Sequence, residues 1–511
     1  MMRCKKFLLH TIVMCMILFI GVPSVRAADL QELVILSVND FHGNLMEHDD
    51  VPGLAKLAAV LKNEKKQAEG KAVLLSAGDM MQGSVESNLT LGAPVIAAMN
   101  ALEFDAMALG NHEFDWGIET LQKRNSGALF PFLAANMVDE KGMLASHVKP
   151  YTIVRRNGLK LGIIGLTTPQ TKTIANPKFM EGITFTDGAQ TVNKLVPALK
   201  AKGADMIVVL AHMGSVSAED GTQNGEIIEL AKQVTGVDLI VSGHTHQLVN
   251  TKVNGIPIVQ AGKNGIAYSK VKITYDKKAK QVVSVMPEIM QIDKDKVEAD
   301  LEFANYIEYI DTRVSHLKNE KVGEAAVDLW HNRYAESLLG QYVTDVMRKH
   351  EQVDFAVVNG GGLRHEIAKG FVTKGDLYAA IPFDNVVVKT SITGREMRDL
   401  LEYGLGNNGY GLLQFSGVSV TFDGSQAEGS RVTQILLPDG RRIDPDTAYT
   451  IATIDFVAAG GDGFTVFKGK QIVSEGILLR DILQDSFSGD EVIRDNLDDR
   501  LIVLQTDLLA G

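Results

Sequence analysis

The stretch Leu33-Val34-Ile35-Leu36-Ser37-Val38-Asn39-Asp40-Phe41-His42-Gly43 decides the fold. Leu33–Val38 is a short apolar run of strand length, and a polar loop carrying a carboxylate and an imidazole follows it directly. Working outward, the same arrangement recurs. Ala72–Ala77 (AVLLSA) runs into Gly78-Asp79, and Phe104–Leu109 into Gly110-Asn111-His112-Glu113. Met206–Leu210 (MIVVL) leads to Ala211-His212, and Val237–Val241 (VDLIV) to Gly243-His244-Thr245-His246. Leu161–Leu166 (LGIIGL) is a further strand candidate, and Leu54–Leu61 has helical spacing. Strands alternating with helices predict an α/β domain with a mixed or parallel core. In such sheets ligands gather outside the carboxyl ends of the strands, so these scattered loops are expected to converge.

Residues 293–320 are charged, lack Pro and Gly, and place apolar side chains at Leu301, Ala304, Ile307, Ile310 and Val314. That spacing predicts an exposed helix connecting two domains. Beyond it a second α/β region is expected, with strands near Phe355–Val358, Val386–Thr390 and Tyr449–Thr453. The division is a leader over 1–27, a first domain over 29–292, a connecting helix over 293–320 and a second domain over 321–511.

A chain of 511 residues fits two or more domains. Its net charge of −12 argues against binding a nucleic-acid polymer, which requires a basic footprint. It leaves small anionic substrates open, because a bound cation can dominate the local field. Arg3, Lys5 and Lys6 precede an apolar segment from Phe7 to about Gly21, and Val25-Arg26-Ala27 supplies small residues at a cleavage position. The segment is short for a spanning helix. It reads as an export signal removed in the mature chain, leaving no stable membrane anchor and a periplasmic or extracellular protein. Cys4 and Cys15 are the only cysteines and both lie in this leader, so metals must be held by His, Asp and Asn.

The five loops carry that donor set. Two divalent ions roughly 3.5–4 Å apart can clamp the attacking and leaving oxygens of a phosphoryl displacement, and a shared carboxylate such as Asp79 can bridge them. Each loop alone is weak evidence, since Asp-x-His and Asn-His-Glu commonly just turn or cap. Their conjunction, each at a strand end, is the signal. Zinc, manganese, cobalt or iron suit such ligands.

Asn359-Gly360-Gly361-Gly362-Leu363-Arg364 follows the strand ending at Val358. It is either a plain tight turn or a site for a nucleotide phosphate or sugar, which a Gly-rich backbone and an Arg both suit. Taken alone, Phe383 and Phe456 read as core residues.

The loops resemble the calcineurin-like metallophosphoesterase pattern D-x-H…G-D…G-N-H-E…H…G-H-x-H. The resemblance implies a four-layer sandwich joined by a helix to a smaller α/β substrate-binding domain. It implies one ion on Asp40, His42, Asp79 and His246, and another on Asp79, Asn111, His212 and His244. Some family members carry Asn or Gln where His246 stands, which bears on metal preference. His112 falls at a position that faces the phosphate rather than a metal, and Asp115 at the position that orients it. Arg333–Gly340, Asn359–Arg364, Ile381-Pro382-Phe383 and Asp455–Phe464 resemble the C-terminal domain of exported 5′-nucleotidases and UDP-sugar hydrolases. By that resemblance Phe383 and Phe456 sandwich the base and Asp462 contacts the ribose. Arg333, Asn359, Gly361 and Arg364 then hold the sugar and phosphate region.

The implied activity is metal-dependent hydrolysis of nucleoside 5′-monophosphates. Cleavage of 2′,3′-cyclic nucleotides with 3′-nucleotidase activity, or of UDP-sugars, are alternatives on the same site. A secreted metal-binding protein without turnover is the alternative of another class. With base and metals on different domains, a hinge near the connecting helix is expected to bring substrate to the ions.

Overall fold

The computed structural model describes residues 29–217, 221–406, 409–488 and 496–504. The leader lies outside the described residues. No helix among them is long and apolar enough to cross a membrane.

The first domain is built on two six-stranded sheets. In one, strands Leu30–Val38, Ala72–Ser76, Ala106–Ala108 and Phe132–Leu133 pair in parallel. Antiparallel strands Ala267–Asp276 and Gln281–Gln291 extend its other edge. In the second, Leu159–Thr167, Met206–His212, Leu239–Ser242 and Ile256–Ala261 run parallel, flanked by antiparallel Tyr151–Arg156 and Leu248–Val253. Residue alternation sorts the layers. Leu33, Ile35, Val73 and Leu75 of the first sheet meet Leu161, Ile163, Val208 and Leu210 of the second in one buried cluster. Their neighbours Leu36, Val38 and Leu74 face outward onto Leu54, Leu57 and Leu61 of helix Gly53–Gln67. Ile164, Val209 and Ile240 face outward onto Val192 and Ile227 of helices Gly188–Ala201 and Glu226–Gln233. The result is the expected four-layer sandwich.

The segment 293–320 departs from the expectation. Its helix is Leu301–Lys318, begun where the Asp300 carboxylate accepts the Glu302 and Phe303 N–H groups. It is no exposed strut, because Phe303, Ile307 and Ile310 belong to the outer core of the first sheet. Phe303 is missing from the stripe read in the sequence, whereas Leu301, included there, is 79% exposed. The helix and the apolar count both start at Leu301, but the buried face runs Phe303, Ile307, Ile310 and Val314, at spacings of four, three and four, and Leu301 lies off it.

The second domain has its own core around a sheet ordered Val387–Thr393, Ala448–Ile454, Phe355–Val358 and Gln414–Ser416. Phe355–Val358 and Ala448–Ile454 are parallel, so the loops after them, starting at Asn359 and Asp455, lie side by side. Val387–Thr393 is antiparallel to Ala448–Ile454, with Val387 opposite Ile454, so the loop bearing Phe383 arrives at the same end.

Candidate metal centre and nucleotide cavity

All five ligand loops lie at the carboxyl ends of parallel strands, where the sequence puts them; His212 is the last residue of its own strand. The backbone turns so sharply there that Asp40, His42, Asp79, His244 and His246 all adopt positive φ, between 49° and 85°. Non-glycine residues seldom do so, and clustering at one point marks a functional site. Gly110 is required beside them, because a Cβ there would collide with the Asp79 carboxylate.

Two groups of donor atoms form. Asp40, His42 and His246 make one, and Asp79, His212 and His244 the other, each with donor atoms within 4.8 Å of one another. Asn111 joins the second through Oδ1, 3.2 Å from His212 Nε2. Asp79 Oδ2 stands 3.1 Å from the same nitrogen. Neighbouring carbonyls set the tautomers. His42 Nδ1 donates to the Gln82 carbonyl at 3.0 Å and His212 Nδ1 to that of Ala77 at 2.7 Å, which turns Nε2 of each toward its donor group. Burial alone would lower His212, but the charges of Asp79 and Asp40 outweigh it and raise the ring to about 10, so a cation bound there would displace the Nε2 proton. His42 Nε2 and His246 Nε2 face each other at 3.0 Å. Such converging lone pairs suit a shared cation. Burial holds His42 and His244 at about 3 and His246 at about 2, so all three stay in the neutral, ligating form. Burial also pushes Asp40 up to about 7, a desolvation cost that an adjacent cation offsets. The donor set therefore fits divalent metal.

His112 stands apart from both groups. Its Nδ1 donates to Asp115 Oδ2 at 2.6 Å and its backbone N–H to Asp79 Oδ1 at 2.9 Å. Burial alone would lower its pKa, but the charges of Asp115 and Asp79 outweigh that and raise it.

Glu113 escaped the sequence reading. It lies inside Gly110-Asn111-His112-Glu113, so the motif carried the signal. Its carboxylate accepts the backbone N–H groups of Asp79, Met80 and Gly110 at 2.8, 2.9 and 2.7 Å, and so ties two ligand loops together. Glu113→Ala leaves three buried donors without a partner. Unfolding of the metal-free variant is expected to show a loss of about 3 kcal/mol or more.

A cavity of about 810 Å³ opens over this centre. Asp79, Asn111, His112, His244 and His246 line it from the first domain, whereas Asp40, His42 and His212 lie behind. All seven residues expected to hold substrate line it from the second: Arg333, Asn359, Gly361, Arg364, Phe383, Phe456 and Asp462. The Phe383 ring lies 6.1 Å from that of His112 at 19°, with the Arg364 guanidinium 5.2 Å from the Phe383 centroid. Asn359 Nδ2 donates to Asp462 Oδ2 at 2.6 Å. Burial raises Asp462 to about 6 against the pull of Asn359 and the arginines. The domains thus already share one cavity in this conformation. Asn176 Nδ2 donates to Asp455 Oδ2 across the domain boundary at 3.3 Å. Trp116, Asn176, Phe179 and Tyr410 also line the cavity, and no motif announced them.

A calcineurin-like phosphoesterase model matches residues 33–248, and a 5′-nucleotidase C-terminal-domain model matches residues 313–469. The crystal structure of a 5′-nucleotidase precursor from Thermus thermophilus is similar at TM-score 0.80 and 30% identity, over 93% of this chain and 100% of that one. The chain belongs to the 5′-nucleotidase family of calcineurin-like phosphoesterases. This 5′-nucleotidase-family chain is 33% identical over 453 residues to endonuclease YhcR of Bacillus subtilis (strain 168), covering 83% of itself and 37% of that protein. It is 31% identical over 496 residues to the trifunctional nucleotide phosphoesterase protein YfkN of the same strain, covering 86% of itself and 32% of that protein. It spans about a third of the length of these two curated relatives.

Proposed function

We propose that this protein hydrolyses nucleoside 5′-monophosphates to nucleoside and phosphate. One observation carries the reading: members of both donor-atom groups (His246 of one, Asp79 and His244 of the other) and His112 line the same cavity as Phe383, Phe456 and Asp462. Asp40, His42, Asp79 and His246 would hold one divalent ion, and Asp79, Asn111, His212 and His244 would hold the other. Zinc, manganese or cobalt fits these ligands. When bound, the ions supply Lewis acidity and a water of lowered pKa.

The chain's own groups do the rest. His112, held in one tautomer by Asp115, donates to a phosphoryl oxygen and stabilises the charge that develops there. Arg364 and Arg333 neutralise the phosphate from the second domain. Phe383 and Phe456 stack the base, which any base accepts because each has a π-face. Asp462 accepts from the ribose hydroxyls. The leader exports the chain to a periplasm or to the medium.

Purified protein is tested for phosphate release from AMP, 3′-AMP, 2′,3′-cyclic AMP and UDP-glucose in Mn²⁺, Co²⁺ or Zn²⁺. The highest kcat/KM is expected on AMP. A higher value on another substrate, or release from none, overturns the reading; the latter outcome fits a binding protein without turnover. A second reading, in which the phosphorus carries two substituents, draws on the cavity lining that runs past His244 and His246 to Ser215, Glu226 and Gln247.

Phe456→Ala should raise KM for AMP by about 5- to 150-fold, the range that corresponds to a stacking contribution of roughly 1–3 kcal/mol. Steady-state kinetics on AMP and on p-nitrophenyl phosphate, which has no base, checks it; an equal rise on both would sink the assignment.

A further inference from the structure

Asp462 lies in a glycine loop, Gly460-Gly461-Asp462-Gly463, with φ +50° and ψ 21°. Aspartate reaches this left-handed geometry more readily than most residues, so contacts must hold the loop in it. Two aromatic residues impose it here. The Phe456 ring presses on Gly461, where a Cβ would fall 2.5 Å from the ring. On the other side the Tyr403 hydroxyl donates to the Asp462 backbone carbonyl at 2.6 Å. It packs so closely on Gly463 that a Cβ there would collide with it. The Tyr403 ring itself is held edge-on against Phe464 at 5.1 Å.

Tyr403 is anchored through its helix, Gly394–Leu405. Its neighbour Glu402 accepts the N–H groups of Gly429, Arg431 and Val432 at 2.9, 3.2 and 2.7 Å, and the Arg431 Nε–H at 2.8 Å. The Leu413 N–H donates to the Gly404 carbonyl from the other side at 2.9 Å. The last turn of the helix is thus a fixed point, and the Tyr403 hydroxyl transmits its position to the loop. Asn359 fixes the other end of Asp462 at Oδ2.

We infer that Tyr403 is a positioning residue for nucleotide binding: it holds the Asp462 loop in the conformation that presents the carboxylate to the ribose diol. The inference rests on the nucleotide reading above. Tyr403 contacts the loop rather than the substrate, so its loss loosens recognition of the diol and leaves the chemistry at His112 alone.

Tyr403→Phe removes the hydroxyl and keeps the ring against Phe464. Kinetics on AMP, on 2′,3′-dideoxy-AMP, which lacks the diol, and on p-nitrophenyl phosphate test it. For AMP, KM is expected to rise about tenfold with kcat within about twofold, as for a lost interaction shared by ground and transition states. KM for the other two substrates should stay at the parent value. In an Asp462→Ala background, Tyr403→Phe should change nothing further. A smaller folded fraction scales every kcat alike and cannot mimic this split. An equal KM rise on all three substrates, no rise on AMP, or additive losses with Asp462→Ala would each overturn the inference. Failure of the nucleotide reading itself shows differently, as a parent enzyme that splits p-nitrophenyl phosphate but not AMP.

Discussion

Asp79→Ala is expected to lower AMP turnover by at least about 10³-fold and to lose bound metal in the same sample, because a two-ion clamp depends on the carboxylate that bridges it. Asp79 belongs to the donor group of His212 and His244, and its charge is also felt by Asp40 and His42 of the other group. Its Oδ2 lies 3.1 Å from His212 Nε2, and its Oδ1 takes the His112 backbone N–H at 2.9 Å. Asp79 is 1% exposed, so water cannot replace it. Burial raises the Asp79 carboxyl, but the charges of His212 and His112 outweigh that and hold it well below the usual range, so it is ionised at any working pH. Alanine also strands the His112 N–H, at a cost of about 1–3 kcal/mol. Asp79→Asn keeps the shape and separates the two effects. Metal content by mass spectrometry, read beside kcat, checks the prediction. Parental kcat with two ions per chain would show that Asp79 bridges nothing.

His112→Ala is expected to behave differently: kcat falls by about 10²–10³-fold while metal content stays at the parent level. The reason is geometric. His112 belongs to neither donor group, yet it lines the cavity and is oriented by Asp115 at 2.6 Å. Its sign of pH dependence follows from that partner. Burial alone would lower its pKa, and Asp115 with Asp79 raises it, so the donor form persists to higher pH than in a free imidazole. Asp115→Asn removes the largest raising influence. The basic limb of the kcat profile should then move to lower pH. Near-normal turnover of His112→Ala with intact metal, or an unmoved basic limb in Asp115→Asn, would remove His112 from the chemistry.

Much of the first domain is legible locally because each ligand follows its strand within a few residues. Leu33–Val38 and Asp40 can be read together, since strand alternation and loop chemistry are short-range properties. The face of helix Leu301–Lys318 is misread at its start because Leu301 and Phe303 are both apolar and only packing against the first domain decides that Phe303 is the buried one. Phe383, Phe456 and Asp462 give no local sign of function; only their likeness to a family raises them above core and turn residues. Glu113 is in plain view but looks like part of a turn. Its three N–H partners come from two loops about 30 residues apart, a relation periodicity does not encode.

By itself, then, the sequence determined the order of strands and loops, the chemical identity of the donor set and the absence of any cysteine after Cys15. Only the tertiary structure decided which donors stand together, that Asp40, His42 and His212 lie behind the cavity while His112 faces it, and that Asn176 of one domain reaches Asp455 of the other. The physical reason is that ligand type is a property of a residue, whereas metal binding and base stacking require atoms within a few ångströms. That proximity is set by how two sheets and two domains pack, and side chains far apart in the chain settle it jointly.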